Sequence, residues 1–385
     1  MHILVSSVGT RGDVQPALAL GVEFKTLGHA VRFCVPPNFV AQAQDLGFEA
    51  RPIGVEMRAP KPGEPPSPIP DLIADQFASV AAASEGCDLL VGAGTHQYAL
   101  RSVAELRSVP SVIAAYAPVS LPSPELAPPG PPVEDIDAAW AQTRAQWNQR
   151  ALGRVNANRE RLGLAAVEDV LGHILGHEPW LAADPVLGPA PAAPGMSVVQ
   201  TGAWLPRDTS PLPAEVEAFL ESGEAPIYLG FGSMPAAAAL GAVLIEAARA
   251  AGRRAILSRG WAELALDGPA DDVLPVGDVN HQALFPRVAA VVHHGGAGTT
   301  TTAALAGAPQ VITPMFTDQF YWGDRIAALG AGATTPFTSL TAESLTEALN
   351  HALTPTTADA ARALSGKVTA DGAAQAARLL IERFA

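Results

Sequence analysis

Residues 291–319 read VVHHGGAGTTTTAALAGAPQVITPMFTDQ, and no other stretch narrows the fold as far. An apolar strand, 288–292, feeds two histidines and the turn Gly295-Gly296-Ala297-Gly298, and threonines and alanines then open a helix. Such a turn aims free backbone N–H groups and the positive end of a helix dipole at one point, which is how proteins hold a phosphate. A second strand, 311–313, ends in Pro314 and is followed by Asp318-Gln319. One βαβ step thus sets a phosphate cradle beside a carboxylate–amide pair suited to sugar hydroxyls.

The same strand–turn–helix grammar occurs in both halves. Strands are expected at 3–7, 31–35, 89–91 and 111–115, with helices at 16–27, 39–46 and 98–106. After a Pro- and Gly-rich stretch, with the linker placed at 204–213, further strands are expected at 226–230, 255–257, 274–276, 289–292 and 310–313. A chain of 385 residues is too long for one small core. Alternating βα units imply parallel sheets with helices on both faces. The expected fold is therefore α/β with two Rossmann-like doubly wound domains, 1–205 and 206–385. A closing helix over 372–385, with Leu379, Leu380 and Phe384 on one side, has the option of packing back on the N-terminal domain. Seven prolines between 118 and 132 break the pattern and predict a long surface loop. The helix expected at 137–162 carries Trp140 and Trp147 one heptad apart, and at least one of them is expected in the core.

Composition excludes several classes. The chain is 48% hydrophobic and 16% charged, so extensive disorder is not expected. A net charge of -14 argues against nucleic acid as the main partner. Cys34 and Cys87 show no CxxC spacing and are expected to be reduced core residues. No apolar run has membrane-spanning length and the N-terminus lacks a basic leader, so the expectation is a cytoplasmic protein without an integral membrane segment, monomeric by default. The chain has neither GxxxxGK[ST] nor GxGxxG after the first strand, which argues against a Walker-type ATPase and against NAD.

The remaining polar residues fall at expected strand ends. His294 can donate to a phosphate oxygen, whereas His293 suits a structural role. Asp318 has a second use as a helix N-cap, and Gly230-Phe231-Gly232-Ser233 also fits an ordinary βα turn. Ser258-Arg259-Gly260-Trp261 ends one strand, and Trp261 suits either a nucleobase or interdomain packing. Backbone groups near Val279 follow another strand and can read a base. In the first turn, Gly9-Thr10-Arg11-Gly12-Asp13, a carboxylate at Asp13 can act as general base toward an acceptor hydroxyl. Burial there raises a carboxylate's pKa and strengthens it as a base, and a helix N-cap is its other use. Asp135-Ile136-Asp137 resembles a metal-binding Asp-X-Asp but lies after the proline loop, so these are expected as helix-start carboxylates. His173 and His177 have helical metal spacing without a zinc-protease glutamate between them, and are expected at a surface or interface. No metal site is expected.

Together, the opening VSSVGTRGDVQPALAL, the segment EPWLAADPVLGP, the linker VQTGAWLP and the run YLGFGSM…LSRGWAEL…VGDVNHQALFPRVAAVVHHGGAGTT resemble the GT-B glycosyltransferases of family 1 over nearly the full length. They look most like the bacterial branch that decorates glycopeptide antibiotics of the vancomycin class. The resemblance implies two Rossmann-like domains facing across a cleft, an N-terminal one for the acceptor and a C-terminal one for the nucleotide sugar. It makes Asp13 the general base. Arg11, Ser233, His294 and the turn Gly295, Gly296, Ala297, Gly298, Thr299 would bind the diphosphate. Asp318 and Gln319 would hold the sugar, and Trp261 and Val279 would line the base pocket. Gly12 beside Arg11, and Ser258 at its strand end, join the donor side. Phe77, Tyr116 and Trp140, with Trp147 nearby, suit a large apolar acceptor. The acceptor segment around the proline loop is shorter than in family relatives, and DQFYWGDR also looks like the sterol glucosyltransferases.

The implied reaction is direct displacement at the anomeric carbon with inversion. Asp13 would deprotonate the acceptor, and the helix N-terminus with His294 would stabilise the leaving diphosphate without a metal or cofactor. The donor would be UDP-glucose or a dTDP-sugar, and the acceptor a hydroxyl of an aromatic natural product, a glycopeptide aglycone first. A sterol, lipid or polyketide glucosyltransferase and a non-transferring nucleotide-sugar epimerase of the same fold are the rivals. A non-catalytic partner protein would have lost Asp13 or the glycine turn, and both are present.

Overall fold

The computed structural model describes residues 1–57, 71–232, 240–260 and 270–385. Contacts divide the chain into two compact units. The first comprises Met1–Pro128, Pro132–Pro206 and Ala370–Ala385, and the second Pro129–Pro131 and Arg207–Thr369.

In the first unit β1 (His2–Ser7), α1 (Arg11–Thr26), β2 (Ala30–Val35), α2 (Pro37–Asp45) and β3 (Glu49–Pro52) precede α3 (Leu72–Ala83). Then come β4 (Leu89–Ala93), α4 (Leu100–Arg107), β5 (Ser111–Ala115), α5 (Ile136–Arg161), α6 (Val170–Leu175), β6 (Trp180–Leu181) and β7 (Val199–Gln200). Their sheet has the order β3-β2-β1-β4-β5-β6-β7, and every pair is parallel. Strands covered on both faces lose the alternation of a half-exposed sheet, and β1 accordingly buries five consecutive residues, Ile3 to Ser7.

The second unit begins with α7 (Ala214–Glu221), β8 (Ile227–Gly230), α8 (Leu240–Ala250), β9 (Ala255–Ser258), β10 (Val273–Val276) and α9 (His281–Leu284). It continues with β11 (Ala290–His293), α10 (Ala297–Leu305), β12 (Gln310–Ile312), α11 (Gln319–Ala328), β13 (Gly332–Thr334), α12 (Ala342–Ala352) and α13 (Pro355–Ser365). Its parallel sheet runs β10-β9-β8-β11-β12-β13. Both sheets reverse direction once, between β1 and β4 and between β8 and β11. In open parallel sheets such a reversal is where ligands bind, outside the carboxyl ends of the strands. The expected doubly wound α/β fold is borne out.

The last helix, α14 (Gly372–Phe384), belongs to the first unit. It packs on α1, and Ala373, Ala376, Ala377 and Leu380 enter that unit's core. A Cβ on Gly372 would lie 2.3 Å from the carbonyl carbon of Gly202, so the helix starts where only glycine fits. Leu379, expected on the packed side, is 37% exposed, because the small-residue stripe of 373, 376, 377 and 380 defines the buried face instead.

Other expectations need correction. Helix α1 starts at Arg11 and not at Pro16. The Asp13 side chain accepts from the backbone N–H of Thr10, and this capping interaction starts the helix before the proline. The segment 118–132 is not simply a surface loop, because residues 117–119 and 121–123 are buried. Trp204, placed in the linker, is a core residue whose indole donates to Thr201 Oγ1. His173 is half-buried and contacts Ser102 Oγ at 3.0 Å, and α6 stops at Leu175, so His177 does not share its helix. Asp135 caps α5 through Ala138 N–H, and Cys34 and Cys87 are free and buried, all as expected. Among the described residues, no helix is long and apolar enough to cross a membrane.

Candidate active site

The reversal between β1 and β4 places Asp13 at the carboxyl edge of the first sheet. Its Oδ2 accepts from Thr10 N–H at 2.8 Å, and its backbone oxygen accepts from Ser7 Oγ at 2.9 Å and Tyr116 Oη at 2.8 Å. Three contacts therefore fix the backbone and one carboxylate oxygen. Gly9 is required here: at φ +140° a Cβ would lie 2.1 Å from Asp13 Oδ2. Gly94, in the loop after β4, faces the other oxygen, with its Cβ position 3.7 Å from Asp13 Oδ1. Arg11 and Gly12 are exposed at the start of α1. Asp13 is thus the third residue of that helix, bonded back to its N-cap, and not itself the N-cap.

The second unit repeats the plan at its own reversal. Strand β11 ends at His293, which is fully buried. Its Nδ1 accepts from Gly295 N–H at 3.1 Å, so Nε2 carries the proton and donates to Gln310 Oε1 at 2.9 Å. Burial and the neighbouring His294 push its pKa down to about 3, and the ring is neutral and structural. His294 is different. Burial lowers its pKa to about 4, and its Nδ1 is buried without a hydrogen-bond partner. Its ring lies against Gly296, the N-cap of α10, where a Cβ would come 2.7 Å from His294 Nε2. Gly232, after β8, also approaches the ring, with its Cβ position 3.4 Å from His294 Cε1. A helix N-terminus and a neutral imidazole with an unmet ring nitrogen thus converge on one place.

Gly295, at φ +94°, fits tightly against Ile312 Cγ2 and Gln319. Ala297, Gly298 and Thr299 form the first turn of α10, and the N-cap Gly296 supplies no side-chain cap. Asp318 starts α11 without capping it. Its Oδ2 accepts from Trp322 Nε1 at 2.8 Å and its Oδ1 from Thr317 Oγ1 at 3.0 Å. Burial raises its pKa, against the effect of those two bonds. Gln319 is buried, and its Oε1 accepts from Met315 N–H at 2.8 Å and Phe316 N–H at 3.3 Å. That oxygen shapes the preceding turn, where Thr317 has φ 56°, rare for a β-branched residue and a mark of local strain.

Ser258 is buried at the end of β9, and Val279 is half-buried against the second unit's core. Ser233 and Trp261 lie outside the described residues. The three aromatic residues expected at the acceptor part company. Tyr116 holds Asp13, and burial with the nearby Asp13 charge raises its phenol pKa well above the ordinary value. Phe77 is 5% exposed and Trp140 6%, with the Trp140 indole donating to Leu126 O, so both rings sit in the interior. Sequence reasoning missed Gly9 and Gly94, whose roles depend on a carboxylate meeting them in space. It also missed Trp322, although its i+4 spacing from Asp318 was a usable signal.

Residues 3–115 match the glycosyltransferase family 28 N-terminal domain, and residues 266–379 match the C-terminal domain of erythromycin biosynthesis protein CIII-like proteins. The chain is 44% identical to vancomycin aglycone glucosyltransferase of Amycolatopsis orientalis over 397 residues, 99% of this chain and 97% of that one. It is 39% identical to dTDP-epi-vancosaminyltransferase of the same organism, over 92% of this chain and 90% of that one. The solved glycosyltransferase VinC in complex with dTDP matches with a TM-score of 0.71 at 21% identity, covering 100% of both chains, which is a likeness of fold. The protein is a glycosyltransferase of the GT-B fold. Within that class it belongs to the bacterial family of vancomycin-type glycopeptide glycosyltransferases, as its motifs implied.

Proposed function

We propose that this glycosyltransferase moves a hexose, glucose first, from UDP- or dTDP-sugar to a hydroxyl of a vancomycin-type aglycone, with inversion and without a metal. The observation that carries the donor half is His294, a neutral imidazole whose buried Nδ1 lacks a partner at the N-terminus of α10. The acceptor half rests on the 44% identity to a relative named for glucosylating the vancomycin aglycone.

In this reading the diphosphate lies on the first turn of α10. Backbone N–H groups of Ala297, Gly298 and Thr299, with His294, receive the charge that develops as the anomeric C–O bond breaks. Arg11, Gly12, Ser233, Ser258, Trp261 and Val279 complete the donor set. Asp318 accepts from sugar hydroxyls, and Gln319 holds the turn that presents it. Asp13 takes the acceptor proton as the hydroxyl oxygen attacks from the face opposite the leaving group, which inverts the configuration. A chelator then leaves the rate unchanged.

The test is a panel of UDP- and dTDP-hexoses, glucose and a deoxysugar among them, with a glycopeptide aglycone in EDTA. Products are read by mass and by the anomeric coupling of the new linkage. A β-linked glucose adduct formed in EDTA is expected. Retained configuration, or transfer restored only by a divalent cation, would sink the mechanism. Use of dTDP-deoxysugar alone would put the chain with its dTDP-epi-vancosaminyl relative in donor choice.

A further inference from the structure

The loop 94–99 after β4 stands at the reversal point of the first unit, and Gly94 faces Asp13 Oδ1. Gln76, buried on α3, grips this loop twice. Its Nε2 donates to His96 O at 3.1 Å, and its Oε1 accepts from Tyr98 N–H at 2.9 Å. A buried amide committed to two backbone positions fixes the directions of the side chains that leave them. Those side chains meet a third ring from α5: Trp147 lies 5.3 Å from His96 and 5.7 Å from Tyr98, centroid to centroid, at interplanar angles of 32° and 45°. His96 is exposed and the other two rings are half-buried, unlike Phe77 and Trp140. Desolvation raises the Tyr98 pKa, so its phenol is uncharged at neutral pH. An aromatic cluster kept at the surface, on the loop whose Gly94 faces Asp13, suits an aryl ring, with the imidazole and phenol edges as polar handles.

We propose that His96, Tyr98 and Trp147 form the platform on which an aromatic ring of the acceptor stacks, and that Gln76 is its positioning residue. This rests on the transfer reading given above. The platform holds the acceptor by one ring, and its hydroxyl is thereby offered to Asp13.

Steady-state kinetics on the full chain test it, with an aryl acceptor and with UDP-glucose varied separately. Trp147→Ala is expected to raise the acceptor KM about 10-fold or more. Donor KM and kcat at saturating acceptor stay near wild type, and Trp147→Phe recovers most of the loss. Gln76→Ala raises the acceptor KM in the same selective way. Tyr98→Ala serves in its place if that variant does not fold. An unchanged acceptor KM in Trp147→Ala would overturn the platform and leave the transfer reading intact. If the wild-type chain transfers to no aryl acceptor, the transfer reading fails first. The platform is then judged by tryptophan fluorescence on titration with aglycone alone. Quenching in wild type that is lost in Trp147→Phe supports it, and equal quenching in both overturns it.

Discussion

His293 and His294 are neighbours in sequence with opposite fates. The first spends both ring nitrogens inside the protein, on Gly295 N–H and Gln310. The second keeps a buried nitrogen unmet. A buried polar atom without a partner is destabilising, and in the proposed reading the donor diphosphate is the ligand that completes this one. Hydrogen bonds to charged groups contribute about 1.5–3 kcal/mol, which converts to roughly 10- to 150-fold in affinity. His294→Ala is therefore expected to weaken UDP binding by that range in calorimetric titration, with little change in melting temperature. Undiminished UDP affinity would remove His294 from the proposed phosphate site. Asp13 shows the same economy: Gly9 and Gly94 leave room for it, and Thr10 N–H orients one oxygen.

At the level of elements, much was legible because buried parallel strands and glycine turns write themselves plainly. Strand β5 falls at 111–115 as expected, and β1, β2, β8, β9 and β11 fall within a residue of expectation at most ends. Less legible were β3, β13 and α3, which have few apolar residues in a row or lie beside irregular sequence. Strands β3 and β13 depend on pairing with β2 and with β12, which no local pattern encodes, whereas α3 has a usable signal in its Asp71 cap and the helical spacing of Ile73, Phe77 and Val80. Pro16 misled for a definite reason. A proline marks a helix start when nothing upstream caps the chain, but the Thr10–Asp13 interaction caps it earlier. The glycine turn ahead of α10 was readable from spacing alone. Which aromatic rings lie in the interior was not, since Phe77, Trp140 and Trp147 carry no local mark that separates the buried pair from the half-buried ring.

For the whole molecule, the buried histidines set a pH limit. His293 and His294 have folded pKa values of about 3 and about 4, below the ordinary 6.5, and His173 is also depressed to about 4. As pH falls below 6.5 the unfolded chain takes up these protons before the folded one does. The stability they contribute is therefore intact above that pH and is lost progressively toward pH 4 to 3. Each fully buried ring adds a slope of about 1.4 kcal/mol per pH unit within that window. The melting temperature should decline from pH 6.5 to 4.5, and His293→Asn should make the decline shallower even if it lowers stability throughout. A decline of the same steepness in that variant would contradict a buried neutral His293.

The most direct measurement compares glucose transfer to the aglycone by wild type and Asp13→Asn, in EDTA, with UDP affinity measured on both. Asparagine keeps an oxygen for Thr10 N–H and the volume that Gly9 and Gly94 accommodate, and removes only the basic carboxylate. A fall in kcat of about 10²- to 10⁴-fold is expected, with UDP affinity unchanged. Transfer at the wild-type rate by Asp13→Asn would contradict Asp13 as the base, and with it the proposed mechanism.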